Sequence, residues 1–118
     1  MKKLFVSVPM KGRTEEAIRE SIDKMHKAAE AITGEELEVI QSYLPKVNHD
    51  ALYFLGRSIQ QLADADYMVC VSDPYRWRGC HIERIVAELY GIKYIVLQDE
   101  FVAPDAMNEM DELLEKLK

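Results

Sequence analysis

Apolar and polar positions follow two rhythms along the chain, and the order in which they alternate predicts the architecture. Positions 4–8, LFVSV, are a short β-prone run that stops at Pro9. Thr14 suits a helix N-cap, with Glu15 and Glu16 in the first turn. Beyond it Ile18, Ile22, Met25, Ala29 and Ile32 recur at spacings of four, three, four and three, one buried helix face that Gly34 ends. ELEVIQ (36–41) is a weaker strand; 42–50 reads as a loop, because Pro45 blocks a helix while Asn48 and Asp50 suit turns and caps. Helical spacing returns at Leu52, Leu55, Ile59 and Leu62. DYMVCVS (66–72) is nearly continuously apolar, as a central parallel strand covered on both faces should be, and it stops at Asp73-Pro74. A helix within RWRGCHIERIVAELYG (76–91), the strand KYIVLQ (93–98) and a terminal helix from near Pro104-Asp105 complete the chain.

Strands that alternate with helices, through connections too long for hairpins, predict a single α/β domain over 1–118. Its expected core is a doubly wound, Rossmann-like or flavodoxin-like parallel sheet of four to five strands with helices on both faces. Such folds bind ligands beyond the carboxyl ends of their strands. The rule selects the loop from Ser7 to Arg13, the loop from Ser72 to Gly79, and the segment from Asp99 onward.

Composition narrows the partners. With 118 residues, 48% of them hydrophobic, the chain can bury one real core. Fifteen basic against twenty-one acidic residues give a net charge of −6, which disfavours nucleic acid as a general partner and confines any anion to a local basic spot. No run approaches a membrane span, and the apolar stretch before Lys11 is too short for a signal peptide, so a cytoplasmic protein without membrane association is expected. Cys70 and Cys80 lie ten apart, without the spacing of a zinc site or disulfide framework, and read as reduced thiols.

If 80–91 is helical, Ile82, Ile85, Val86, Leu89 and Tyr90 form an apolar face that docks on the sheet, with Glu83 at its edge and Arg84 and Glu88 pointing away. Glu83 is then partly desolvated and close to the strand ends. A carboxylate so placed suits a nucleophile or a general acid or base, since burial raises its pKa while the helix N-terminus favours the ionised form. Taken alone, an acidic first-turn residue is equally ordinary dipole compensation. Gly79 just before the helix lets backbone approach a ligand or takes a dihedral other residues avoid. Arg76 and Arg78 could flank an anion there, and Trp77 could stack on a base or sugar. Solvated arginines and a tryptophan covering the sheet edge fit the same letters.

In the first loop Lys11, Gly12 and Arg13 precede a helix N-terminus, a candidate phosphate cradle that matches neither standard glycine-rich phosphate motif and that a solvated basic turn would imitate. His26, His49 and His81 have no metal-site spacing, and Met25, Met68, Met107 and Met110 read as packing residues, so neither a metal nor a cofactor is expected.

A first strand ending in a small-residue loop with Pro9, then LADADYMVCVSDP, then YRWRGCHIERIVAELYGIKYIVL, resembles the nucleoside 2-deoxyribosyltransferase-like superfamily over most of the chain. Within it the resemblance is strongest to a group of small bacterial and phage proteins that share a tryptophan, G-x-x-I-E and an alanine. Enzymes of the superfamily place a glutamate, an alanine four residues on and a glycine eight residues on, here Glu83, Ala87 and Gly91.

The resemblance implies that Glu83 attacks the anomeric carbon of a nucleoside or nucleotide, giving a glycosyl-enzyme intermediate that a second base or water resolves. It implies contacts from Ser7, Pro9, Lys11 and Gly12 to base or phosphate, and self-association as a dimer or larger homo-oligomer. Two departures stand out. Ser58 occupies the place of an aspartate that assists substrate binding or leaving-group chemistry, and Val8 stands where members often carry glycine. Asp73, at a strand end near the same crevice, is the candidate to take over part of the missing role. The expected activity is hydrolysis or transfer at an N-glycosidic bond. The alternative is a non-catalytic nucleotide-binding or regulatory module in which Lys11, Arg13, Arg76 and Arg78 hold phosphate; a subunit that works through its surface is a third reading.

Overall fold

A computed structural model of the chain describes residues 1–10, 12–40, 50–72 and 77–98. The elements are β1 (Lys2–Val6), α1 (Glu15–Thr33), β2 (Leu37–Ile40), α2 (Ala51–Leu62), β3 (Tyr67–Val71), α3 (Arg78–Leu89) and β4 (Lys93–Leu97). The expected terminal helix lies outside the described residues, as does the loop at 41–49.

The four strands form one parallel sheet in the order β2-β1-β3-β4, with Lys2 opposite Leu37, Leu4 opposite Tyr67 and Tyr67 opposite Lys93. The doubly wound α/β class is therefore the observed one. From β1 the chain steps outward to β2, then crosses back over β1 to β3 and on to β4. Right-handed crossovers put α1 on one face of the sheet and α2 with α3 on the other. Burial follows the two-residue period of the strands. Leu4, Val6, Val69 and Val71 join Ile18, Met25 and Ala29 of α1 in one core cluster. Phe5, Met68 and Cys70 join Leu62 of α2 and Ala87 of α3 in the other.

The helix ends follow the predicted chemistry. Thr14 Oγ1 accepts the Ala17 N–H at 3.1 Å, and Asp50 Oδ1 accepts that of Tyr53 at 2.9 Å. Gly34 closes α1 at φ 71°, a left-handed conformation that favours glycine, and its N–H reaches the Glu30 carbonyl at 2.9 Å. His26 is structural: its Nε2 lies 2.8 Å from the Leu37 carbonyl oxygen while Glu30 receives the Leu37 N–H at 2.9 Å, so α1 clamps the start of β2.

Two faces differ from expectation. On α1, Ile32 is exposed and Ser21 is buried. A helix of 19 residues runs about 28 Å, whereas a five-residue strand runs about 16 Å, so the last turn of α1 overhangs the sheet. On α3 the buried residues are Cys80, Glu83 and Ala87. Ile85 is exposed, and Leu89 and Tyr90 are 74% and 80% exposed. The helix is rotated about its axis relative to the predicted docking, because small Ala87 lets it approach Phe5, Met68 and Cys70 closely and Cys80 and Glu83 have their partner in Ser7, just past β1.

The placement of α2 gives a test. Leu62 is fully buried and Leu52 is 74% exposed on the same helix. Leu62→Ala should lower the unfolding free energy by about 2–5 kcal/mol, and Leu52→Ala by no more than about 0.5 kcal/mol, both read by denaturant titration.

Candidate active site

The site begins with the residue after β1. Strand alternation turns Ser7 to the same face as Phe5, toward α2 and α3, and its N–H extends the ladder by donating to the Val69 carbonyl at 2.9 Å. The directions of successive steps between strands reverse between β1 and β3, so the chain leaves their carboxyl ends on opposite sides, the switch point at which folds of this class bind their ligands. Ser7 stands at that point.

From the opposite side α3 presents Cys80 and Glu83, three residues apart and hence one above the other on the helix surface. Both take hold of Ser7. The Cys80 Sγ points at the Ser7 carbonyl oxygen at 3.7 Å, and the Ser7 Oγ donates to Glu83 Oε1 at 2.7 Å. From α2 the Ser58 hydroxyl favours the charged form of the same carboxyl. Ser7 and Glu83, 76 residues apart in sequence, thus meet around one carboxyl group.

Glu83 is 8% exposed, more deeply set than the partly sheltered position predicted for it. Burial pushes its pKa from the ordinary 4.5 up to about 7, and the hydrogen bonds from Ser7 and Ser58 oppose that rise. No described cation contributes to the balance. Below the carboxyl, burial pushes the Cys70 thiol up to about 11, with Arg84 acting against the rise and Glu83 with it, so Cys70 is a neutral thiol at physiological pH. The Arg84 guanidinium lies 5.3 Å from the centre of the Tyr94 ring. A carboxyl balanced near neutrality at the end of a central strand can serve as a nucleophile or carry a proton.

The other candidate residues fall into distinct places. The Arg13 guanidinium turns back on its own loop, donating to the Pro9 carbonyl at 2.8 Å, the Ala17 carbonyl at 3.3 Å and the Ser21 hydroxyl at 2.5 Å. It braces the turn between β1 and α1, and Pro9 is buried beneath it. Gly12 is exposed on that turn. Trp77, at the N-cap of α3, is 2% exposed and packed with Val8, Ile18 and Val71, so its ring belongs to the core instead of offering a stacking surface. Arg78 is exposed in the first turn of α3. Gly79 has no positive φ, which removes the special-dihedral explanation, and a Cβ there would meet nothing within 4 Å. Lys11, Asp73 and Arg76 lie outside the described residues. Cys80 was missed as a contributor: its only sequence signal was its place one helical turn before Glu83.

Among the described residues no cluster of histidine, cysteine, aspartate or glutamate could hold a metal ion. A wide, open hollow runs along the outer side of α1, lined by Thr14, Glu15, Glu16, Arg19, Glu20 and Asp23, away from Glu83. No family model matches the chain, and neither a curated protein nor a solved structure matches it.

The proton balance of Glu83 predicts a pH-dependent stability difference. Its folded pKa lies above the unfolded value, so its contribution is fully present below about pH 4.5 and is lost as pH rises through about 7. Glu83→Gln keeps the shape and removes the charge. The variant should match the parent in acid and exceed it in unfolding free energy by about 3 kcal/mol above pH 7, as read by denaturant titrations across pH 4 to 8.

Proposed function

We propose that the protein acts on the N-glycosidic bond of a nucleoside or nucleotide, ribo or deoxyribo, with Glu83 as the nucleophile. What supports the reading is a single observation: a carboxyl group set at the end of a central strand, at the switch point of a doubly wound sheet, where burial makes its charge unfavourable. Such a group weakens the fold it sits in, as strained or desolvated groups at working sites do. The resemblance of the sequence around Glu83, Ala87 and Gly91 to the deoxyribosyltransferase-like superfamily supplies the reaction class.

In this reading an ionised Glu83 oxygen bonds to the anomeric carbon as the carbon–nitrogen bond breaks, and the electron pair of that bond leaves with the base. Asp73, by its place after β3, is the candidate to protonate the departing base. Water then releases the free sugar, or a second base takes it. The protein works in the cytoplasm, on a small-molecule nucleoside or nucleotide, and as a homo-oligomer. No helix among the described residues is long and apolar enough to cross a membrane.

The test is release of free base from a panel of nucleosides, deoxynucleosides and their monophosphates, followed by chromatography. Release is expected for at least one substrate and should fall by a factor of about a thousand or more in Glu83→Ala. Release that survives that substitution removes Glu83 from the mechanism. Saturable binding without release by the parent protein identifies the non-catalytic nucleotide module instead.

A further inference from the structure

We propose that α2 pairs antiparallel with the α2 of a second copy of this chain across a two-fold axis, through the face formed by Leu52, Gly56, Ile59 and Ala63. The inference gives the homo-oligomer of the proposed function its contact surface; it rests on that part of the reading alone and not on the chemistry of Glu83. The sequence of α2, ALYFLGRSIQQL, is mostly apolar, yet of its residues only Leu62 is buried. Leu52 is 74% exposed, Gly56 and Ala63 are exposed, and Ile59 is half-buried. Ala63 is the C-cap and keeps right-handed helical backbone, so the face runs on past the last turn. At about 100° per residue the four positions fall within about 60° of arc, roughly a quarter turn round the helix from Leu62.

The symmetry of the pattern names a second copy as the occupant. Its spacings are four, three and four, which read the same from either end. Reversing the helix about the midpoint between 57 and 58 sets Leu52 against the partner's Ala63 and Gly56 against the partner's Ile59. Each large side chain then meets a small one, the self-complementarity that a two-fold interface requires. Gly56 is a second, independent observation. Its φ is not positive and a Cβ there would meet nothing within 4 Å, so neither backbone conformation nor packing inside the chain calls for a residue that weakens a helix interior. Close approach of another helix does call for it. Charge agrees: copies that each carry −6 repel one another, and the outer side of α1 presents Glu15, Glu16, Glu20 and Asp23. In contrast α2 holds no acidic residue, and its one charged residue, Arg57, lies more than a quarter turn from the face and is bonded to Gln60 at 3.4 Å. A single helix pair covers less than the roughly 1,600 Å² of a standard interface, so the dimer dissociates on the order of tens of micromolar. Below that range the chain is a monomer, and Leu52 is an ordinary exposed side chain.

Sedimentation velocity of the full chain from about 1 to 300 µM tests the pairing. The parent should pass from monomer to dimer across that range, and its melting temperature should rise with concentration. Gly56→Leu puts bulk where the partner's Ile59 must sit and should weaken association at least about tenfold. The same variant should melt no lower than the parent at the lowest concentration, because leucine favours a helix over glycine. Leu52→Ala and Ala63→Leu, both at exposed positions, should each weaken association, and the double variant, which exchanges large for small across the axis, should recover it to within about threefold of the parent. A parent that stays monomeric to the highest concentration leaves the face to water or to another protein and overturns the proposal. A dimer that Gly56→Leu leaves intact overturns it too, as does a double variant no tighter than the weaker of its singles; self-association through another surface then stands in its place. None of these measurements uses a substrate. Pairing without release of base sinks the proposed activity alone, and base release by a monomer sinks the pairing alone.

Discussion

Taking a carboxylate out of water removes hydration worth several kcal/mol, and one short hydrogen bond to a hydroxyl returns only part of it. The orientation of α3 follows from how that deficit is met. Cys80 and Glu83 both engage Ser7, so the turn that carries them must face the end of β1, and Ala87, one turn further on, must then face the sheet. Ile85, Leu89 and Tyr90 are left on the outside as a result. Burying a leucine or isoleucine contributes about 1.5–3 kcal/mol, so a helix selected for stability alone would rotate to hide them. The observed rotation keeps the carboxyl at the strand end in preference to that burial. Local departures of this kind, where a sequence forgoes an available gain in stability, concentrate at working sites.

The parallel sheet makes the arrangement possible. Side chains alternate across a strand, so Val6 and Val8 face the α1 side while Phe5 and Ser7 face α2 and α3. A slip of one residue in β1 would send Ser7 to the wrong face. Its register is fixed on both edges, by Leu37 to Ile40 of β2 and by Tyr67 to Val69 of β3, and the Ser7 N–H adds one more bond to β3 beyond the strand itself. The Arg13 guanidinium then ties the following turn to α1, so the hydroxyl is carried on backbone that is anchored before and after it.

Much of this was legible in the letters and some was not. Continuous apolarity at 66–72 identified a strand covered on both faces, and Met68 to Val71 are indeed fully buried. Caps at Thr14 and Asp50 and the stop at Gly34 follow from local chemistry that depends on a few neighbouring residues. The inward face of α3 did not follow from periodicity, because hydrophobic spacing assumes that apolar burial decides the rotation, whereas here two polar contacts and a small alanine decide it. Glu83 was expected in the first turn of its helix at the edge of an apolar face; α3 begins at Arg78, so Glu83 lies one turn further in and on the buried face. The pairing of Ser7 with Glu83 links positions 76 residues apart in the chain; the serine was singled out for a substrate, and nothing local indicates that it belongs to the carboxyl. Trp77 illustrates the reverse case: beside two arginines it suggested a ligand platform, and the core cluster around Val8 and Val71 claims it instead.

The choice of a hydroxyl as partner has a chemical consequence. A lysine or arginine beside Glu83 would hold the carboxyl charged over the whole physiological range and would lose its own partner whenever the carboxyl bonded elsewhere, leaving a buried cation unpaired. A serine hydroxyl both donates and accepts. When Glu83 is ionised, the Ser7 hydroxyl donates to it across 2.7 Å; when Glu83 is protonated, the same oxygen can receive the acid proton. The Ser7 hydroxyl can therefore partner the carboxyl in either protonation state. Proximity of the two states near neutral pH, fixed geometry and reversible partners are together the physical requirements for a carboxyl that must form a bond and release it again.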